Sequence, residues 1–153
     1  MKHVIVRWEP ASNSFVAHGA RADRTVVMNA PHEGGGPTGI SPAENLLAAL
    51  GGCTAWDVVE ILYKKRQPFE SVEVLIDGQQ AESAPWPYTS IRVTYVVRGR
   101  GLDPTAVEKA VRLSSERYCS VIATVRGVAD IETTVEVVDD SLVGRDAAAA
   151  PTA

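Results

Sequence analysis

Two side chains in this 153-residue sequence stand out as nucleophiles, the thiols of Cys53 and Cys119. A thiolate attacks electrophilic oxygen or sulfur, and a second thiol can close the resulting sulfenic acid into a disulfide. Two cysteines without C-x-x-C spacing cannot build a four-cysteine zinc site. His3, His18 and His32 fall outside the H-E-x-x-H and His/Cys ligand spacings, so neither a metal nor a cofactor is expected. A free, catalytic or redox-active pair suits two thiols better than a permanent staple.

Cys53 closes the stretch Ala48-Ala49-Leu50-Gly51-Gly52-Cys53. By type alone it is a small buried hydrophobe. Gly51 and Gly52 each cost about 1 kcal/mol inside a helix, so close backbone packing or approach of a ligand must compensate. Asp57 and Glu60, four and seven residues on, project along much the same helical face. Acid beside a thiol raises its pKa, so a Cys53 thiolate needs an arginine to offset them. Arg21 and Arg24, at the polar turn beginning at Ala20, occupy a loop where a gate or anion clamp could sit. Glu44 is the natural candidate for a catalytic carboxylate, although a capping role already explains it. It stands nine residues before Cys53, on the opposite side of an ideal helix at about 100° per residue. Cys119 ends Ser114-Ser115-Glu116-Arg117-Tyr118-Cys119, at a helix terminus of the kind that lines clefts. Trp56 is expected to pack, and Arg112 and Arg117 to be solvated helix charges.

These residues need a scaffold, and the hydrophobic periodicity supplies one. Two weakly alternating stretches, at about 3–8 and 14–19, flank Glu9-Pro10-Ala11-Ser12-Asn13 as a hairpin, with a third strand at about 24–29. Ala30 to Gly39 is too rich in Gly and Pro for regular structure, and no Lys-Ser or Lys-Thr makes it a phosphate loop; it reads as a flexible connector. Ser41-Pro42-Ala43-Glu44 is a capping box with proline at the first helical position. The helix it opens runs to about Lys65, with Leu47, Leu50, Thr54, Val58, Ile61 and Leu62 on one face, and Gln67-Pro68 ends it. Strands follow at about 70–80 and 88–98. Asp103-Pro104 opens a second helix to about Tyr118, with Val107, Ala110, Val111, Ser114 and Tyr118 in its stripe. A short helix at about 120–126 and a strand at about 130–138 complete an α+β domain over residues 1–140, mostly antiparallel strands against two principal helices. Residues 141–153 read as a frayed tail.

Composition narrows the class. The chain is 45% hydrophobic and 22% charged, enough apolar character for one core. A net charge of −4 and a pI near 5.4 argue against a general nucleic-acid binder. No apolar run is expected to approach the roughly 20 residues that cross a bilayer, and no signal-peptide block precedes the first strand. A cytoplasmic protein is expected.

The segment Ser41-Pro42-Ala43-Glu44-Asn45-Leu46-Leu47-Ala48-Ala49-Leu50-Gly51-Gly52-Cys53-Thr54, then Asp57-Val58-Val59 and Lys65-Arg66, resembles the OsmC/Ohr family. A second anchor is Leu113-Ser114-Ser115-Glu116-Arg117-Tyr118-Cys119-Ser120-Val121, and the order of elements agrees over about residues 3–138. The match is closer to the OsmC-like branch than to the organic hydroperoxide resistance enzymes proper. The resemblance implies an OsmC-like fold and an intertwined homodimer with sites at the interface. It implies a thiol peroxidase acting on organic hydroperoxides and recycled by a dithiol reductant. Cys53 is then the peroxidatic cysteine and Cys119 the resolving one. An arginine from between the early strands, Arg24 or Arg21, pairs with a glutamate near the first helix, Glu44, and lowers the thiol pKa.

Two positions depart from the family's pattern. Ala43 stands ten residues before Cys53, where the active enzymes have glutamate, and Glu44 follows one residue later. Ser120 follows Cys119 where the well-characterised enzymes have proline. The alternative left open is an OsmC-like protein without peroxidase activity that binds a small apolar molecule at the dimer interface. A third reading leaves both thiols inert in the core.

Overall fold

The computed structural model describes residues 2–21, 23–29 and 39–141. Most of the connector expected at 30–39 and the tail from 142 lie outside the described residues. The chain forms two compact units, the first through Leu46 and the second from Leu47.

In the first unit, strands β1 (Ile5–Glu9), β2 (Ser14–His18) and β3 (Thr25–Asn29) form an antiparallel sheet in the order β1-β2-β3. The hairpin turn places Asn13 at φ 45°, in the left-handed region that asparagine tolerates better than most residues. Its register sets Trp8 opposite Phe15, and Phe15 in turn opposite Met28. Met28 is the buried apolar residue of β3.

Helix α1 (Pro42–Lys64) carries the chain from the first unit into the second. Beyond Leu47 its expected stripe is the one that goes inside: Leu50, Thr54, Val58 and Leu62 are buried, with Leu47 and Ile61 packed against them. Gly51 is explained by packing, because a Cβ there would lie 2.6 Å from Cδ1 of Ile76. Around Gly52 nothing among the described residues lies within 4 Å of such a Cβ, so their packing does not explain that glycine. By length and composition α1 does qualify as a bilayer span, with a mean hydropathy of 1.4. This corrects the expectation that no stretch comes near. Interspersed Ala and Cys raise the mean without a continuous run of large apolar residues. The same helix contributes Leu50, Val58 and Leu62 to the core of its unit, about 1.5–3 kcal/mol for each side chain buried.

Strands β4 (Phe69–Gln80), β5 (Tyr88–Gly99) and β6 (Asp130–Asp139) form the second sheet, in the order β4-β5-β6. Ile91, Val93, Tyr95 and Val97 of β5 are all buried, as period-two alternation requires. β4 and β5 are antiparallel, whereas β5 and β6 run parallel. A parallel pair needs a crossover, here made by α2 (Pro104–Leu113), a π turn (Ser114–Tyr118) and α3 (Ser120–Val125). Asp103 caps α2 by accepting from the N–H of Thr105 at 3.0 Å, and Val107, Ala110 and Val111 face the core.

The second helix was expected to reach Tyr118 as one α-helix, with Tyr118 in the buried stripe. The structure corrects both points: α2 stops at Leu113, and Tyr118 is 53% exposed. The π turn closes with the N–H of Cys119 on the carbonyl of Ser114 at 2.9 Å, one residue wider than an α-turn. The buried position after Ser114 therefore passes to Cys119, which is 3% exposed. Trp56, expected to pack, is also exposed in the chain.

Gly99, at the end of β5, lies against backbone rather than side chain. A Cβ there would strike the Pro68 carbonyl oxygen and sit 2.8 Å from Cα of Phe69. Because the backbone cannot swing aside, Gly99→Ala is expected to cost roughly 3 kcal/mol, the top of the overpacking range. Thermal melting should show a fall of about 6–12 °C. Gly127→Ala, where no atom of the described residues lies within 4 Å of the added carbon, should stay within about 0.5 kcal/mol of the parent. Equal melting points for the two variants would show that the strand end yields.

Candidate functional site

Within the second unit, α1 brings Cys53 to the junction between the π turn and α3. Cys53 is half-buried, and its Sγ lies 3.9 Å from Oγ of Ser120. The Cys119 thiol lies near enough to act on its ionisation, and both cysteines are free. Cys119 has extended backbone, at φ −70° and ψ 105°, and caps α3 by accepting from the N–H of Ile122 at 3.4 Å.

The two thiols are driven in opposite directions. Burial opposes the charged form of Cys53, but the N–H of Val121, the Cys119 thiol and the Ser120 hydroxyl together hold it below the ordinary thiol range. The Asp57 carboxylate acts against them. Burial pushes Cys119 up to about 11, and the neighbouring Cys53 adds to that against the Ile122 N–H. When one thiol of the pair ionises, the charge therefore falls on Cys53 and the proton stays on Cys119.

Behind the pair runs a chain of hydroxyls. Tyr95 Oη lies 2.6 Å from Thr54 Oγ1, which lies 2.8 Å from Ser114 Oγ. Ser114 Oγ lies 2.9 Å from Oδ2 of Asp57 and 3.3 Å from the carbonyl oxygen of Thr54. An ionised carboxylate only accepts, so it gives the chain a direction: Tyr95 donates to Thr54, Thr54 to Ser114 and Ser114 to Asp57. Tyr95 is raised by burial, more than its bond to Thr54 lowers it, and so keeps the proton it donates. Among the described residues no buried side-chain nitrogen or oxygen lacks a hydrogen-bond partner.

Glu44 and Arg24 belong to the first unit and Glu60 to the second, each with local partners of its own. Glu44 fills the capping box: its Oε2 accepts from the N–H of Ser41 at 2.7 Å, and its own N–H donates to the Ser41 hydroxyl at 3.2 Å. These bonds hold its carboxyl below the usual range. Arg24 follows the turn between β2 and β3, where its N–H donates to the Arg21 carbonyl and its carbonyl accepts from Gly19. With Asp23 and Asn45 it lines a cleft of about 630 Å³ in the first unit. Glu60 pairs with Lys64 at 3.8 Å on the exposed face of α1. Among the described residues no group of three His, Cys, Asp or Glu side chains could hold a metal ion.

Sequence reasoning did not assign Thr54, Tyr95 and Ser114 to the site. A signal for two of them was present, since Thr54 and Ser114 are polar residues inside otherwise apolar stripes, and a buried hydroxyl demands a partner.

The two-sheet α+β frame that carries these thiols is the fold of a known family. Residues 34–134 match the family model described as "OsmC-like protein", and the chain belongs to that family. Protein YhfA of Escherichia coli K12 is 44% identical over 98 residues, covering 64% of this chain and 73% of YhfA. Among solved structures, a hypothetical protein from Aquifex aeolicus VF5 is 30% identical with a TM-score of 0.76, over 90% of this chain and 96% of that one. The organic hydroperoxide resistance protein OhrB of Bacillus subtilis shares the fold, at 17% identity and a TM-score of 0.58 over 89% of this chain and 98% of OhrB.

Proposed function

We propose that the protein is a cysteine-based peroxidase that reduces organic hydroperoxides in defence against oxidative stress. The observation that carries this reading is the placing together, beside Ser120, of a Cys53 held below the ordinary thiol range and a Cys119 that keeps its proton. The Cys53 thiolate attacks one peroxide oxygen, the O–O bond breaks, and the departing alkoxide takes a proton from water to leave as the alcohol. Cys53 is left as a sulfenic acid. The Cys119 sulfur then attacks the Cys53 sulfur, the S–O bond breaks, and the departing hydroxide takes the Cys119 proton and leaves as water. A dithiol reductant restores both thiols and becomes a disulfide itself.

The resemblance adds Arg24 and Glu44 as the arginine and carboxylate that support the thiolate, and a homodimer as the working form. A second copy would cover apolar residues that the chain leaves exposed, among them Val6, Trp8, Val26 and Trp56. A reducing compartment such as the cytoplasm suits two unbridged thiols.

Intact mass before and after one equivalent of an organic hydroperoxide tests the reading. Loss of both titratable thiols, with a mass lower by about two hydrogens per chain, is expected. Two unchanged thiols would overturn it. The second reading, an OsmC-like protein that binds a small apolar molecule between subunits, would then take its place.

A further inference from the structure

Ser114 touches both sides of the thiol pair's mounting. Its hydroxyl reaches Asp57 at 2.9 Å and the Thr54 carbonyl at 3.3 Å, both on the turn of α1 that begins at Cys53. Its own carbonyl accepts from the N–H of Cys119 at 2.9 Å and so closes the π turn. One buried residue thus ties the backbone of Cys119 to the helical turn carrying Cys53. We propose that Ser114 and Asp57 are positioning residues, which clamp the π turn to α1 and hold the Cys119 sulfur within reach of Cys53 for disulfide closure.

A π turn is a strained insertion that needs outside support. Without the clamp the α-helical alternative becomes open to residues 114–118. It would turn Cys119 by roughly 100°, out of the position that the wider turn supplies. Asp57 is otherwise badly chosen, since its charge works against the Cys53 thiolate. A carboxylate kept there despite that effect has its use in the bond to Ser114. The inference rests on the proposed redox pair, but not on the peroxide as oxidant.

The test separates the two. Diamide oxidises a dithiol without any hydroperoxide: one thiol adds across its N=N bond, the second displaces the nitrogen, and a disulfide and a hydrazine result. Ser114→Ala and the near-isosteric Asp57→Asn should close the disulfide about 10- to 100-fold more slowly than the parent with diamide, the scale of a lost approach geometry. Ser114→Thr, which keeps the hydroxyl, should restore most of the rate. In Ser114→Ala, Cys53 alkylation by iodoacetamide should stay within about threefold of the parent, whereas general loosening of the unit would alter it too. With organic hydroperoxide as oxidant, dimedone should trap Cys53 sulfenic acid in both variants. Disulfide closure by diamide at the parent rate in both would overturn the clamp. If hydroperoxide leaves the parent thiols untouched while diamide still separates parent from variants, the peroxidase reading falls and the clamp stands.

Discussion

Cys53→Ser is expected to abolish hydroperoxide turnover, a loss on the order of 10³-fold or more, because no other side chain can take over the attack. Cys119→Ser should behave differently: one equivalent of peroxide is consumed, the sulfenic acid on Cys53 persists, and recycling through the disulfide stops. The reason lies in how each sulfur is held. Cys53 is half-buried and receives hydrogen bonds from Val121, Cys119 and Ser120, which favour the thiolate that burial opposes. Cys119 is 3% exposed and keeps its proton, so a peroxide in solvent neither reaches it nor finds a nucleophile there. Consumption of hydroperoxide in single turnover, followed by dimedone trapping and intact mass, distinguishes the variants. Full activity in Cys53→Ser, or a trapped sulfenic acid on Cys119, would reverse the assignment.

The parts of this site legible in the sequence are those governed by local rules. The capping box at Ser41 and Glu44 occurs as read, because its two hydrogen bonds span only three residues. The stripe from Leu50 to Leu62 and the alternation from Ile91 to Val97 show their period within one element, and each faces the core as expected. Cys119 was a different matter. An α-period carried through Ser114 puts Tyr118 inside, and only the extra residue of the π turn delivers the thiol instead. Nothing in Ser114-Ser115-Glu116-Arg117-Tyr118 marks that insertion, because its support comes from Asp57 and Thr54 across the unit. The parallel pairing of β5 with β6 is hidden for a similar reason. Period-two alternation fixes which face of a strand is buried, not the direction of its neighbour. Asp57 shows the limit on the chemical side: spacing placed it beside Cys53 as an opposing charge, while its bond to Ser114 depends on a residue 57 positions away.

Thiol reactivity should separate the two cysteines by at least about 100-fold at pH 7. A thiol pushed up to about 11 is ionised there at only about one part in 10⁴, and burial restricts access further. Iodoacetamide with peptide mapping should therefore label Cys53 first and Cys119 only at high pH or after unfolding. Because the thiols perturb one another, each substitution should move the other's midpoint. Burial, the main cause for Cys119, survives in Cys53→Ser, but the contribution of Cys53 does not, so Cys119 should titrate lower than in the parent. Cys53 loses a donor in Cys119→Ala and should titrate higher. Stability carries the same signature with a definite sign. The folded pKa of Cys119 lies above the unfolded value of about 8.5, so the folded state holds that proton more tightly. Its contribution is complete below about pH 8.5 and is lost as the pH climbs toward 11, where ionisation favours the unfolded chain. Melting temperature should decline more steeply over that interval in the parent than in Cys119→Ala. Equal labelling of the two thiols at pH 7, or parallel melting curves for parent and variant, would show that Cys119 is not held as the protonated partner.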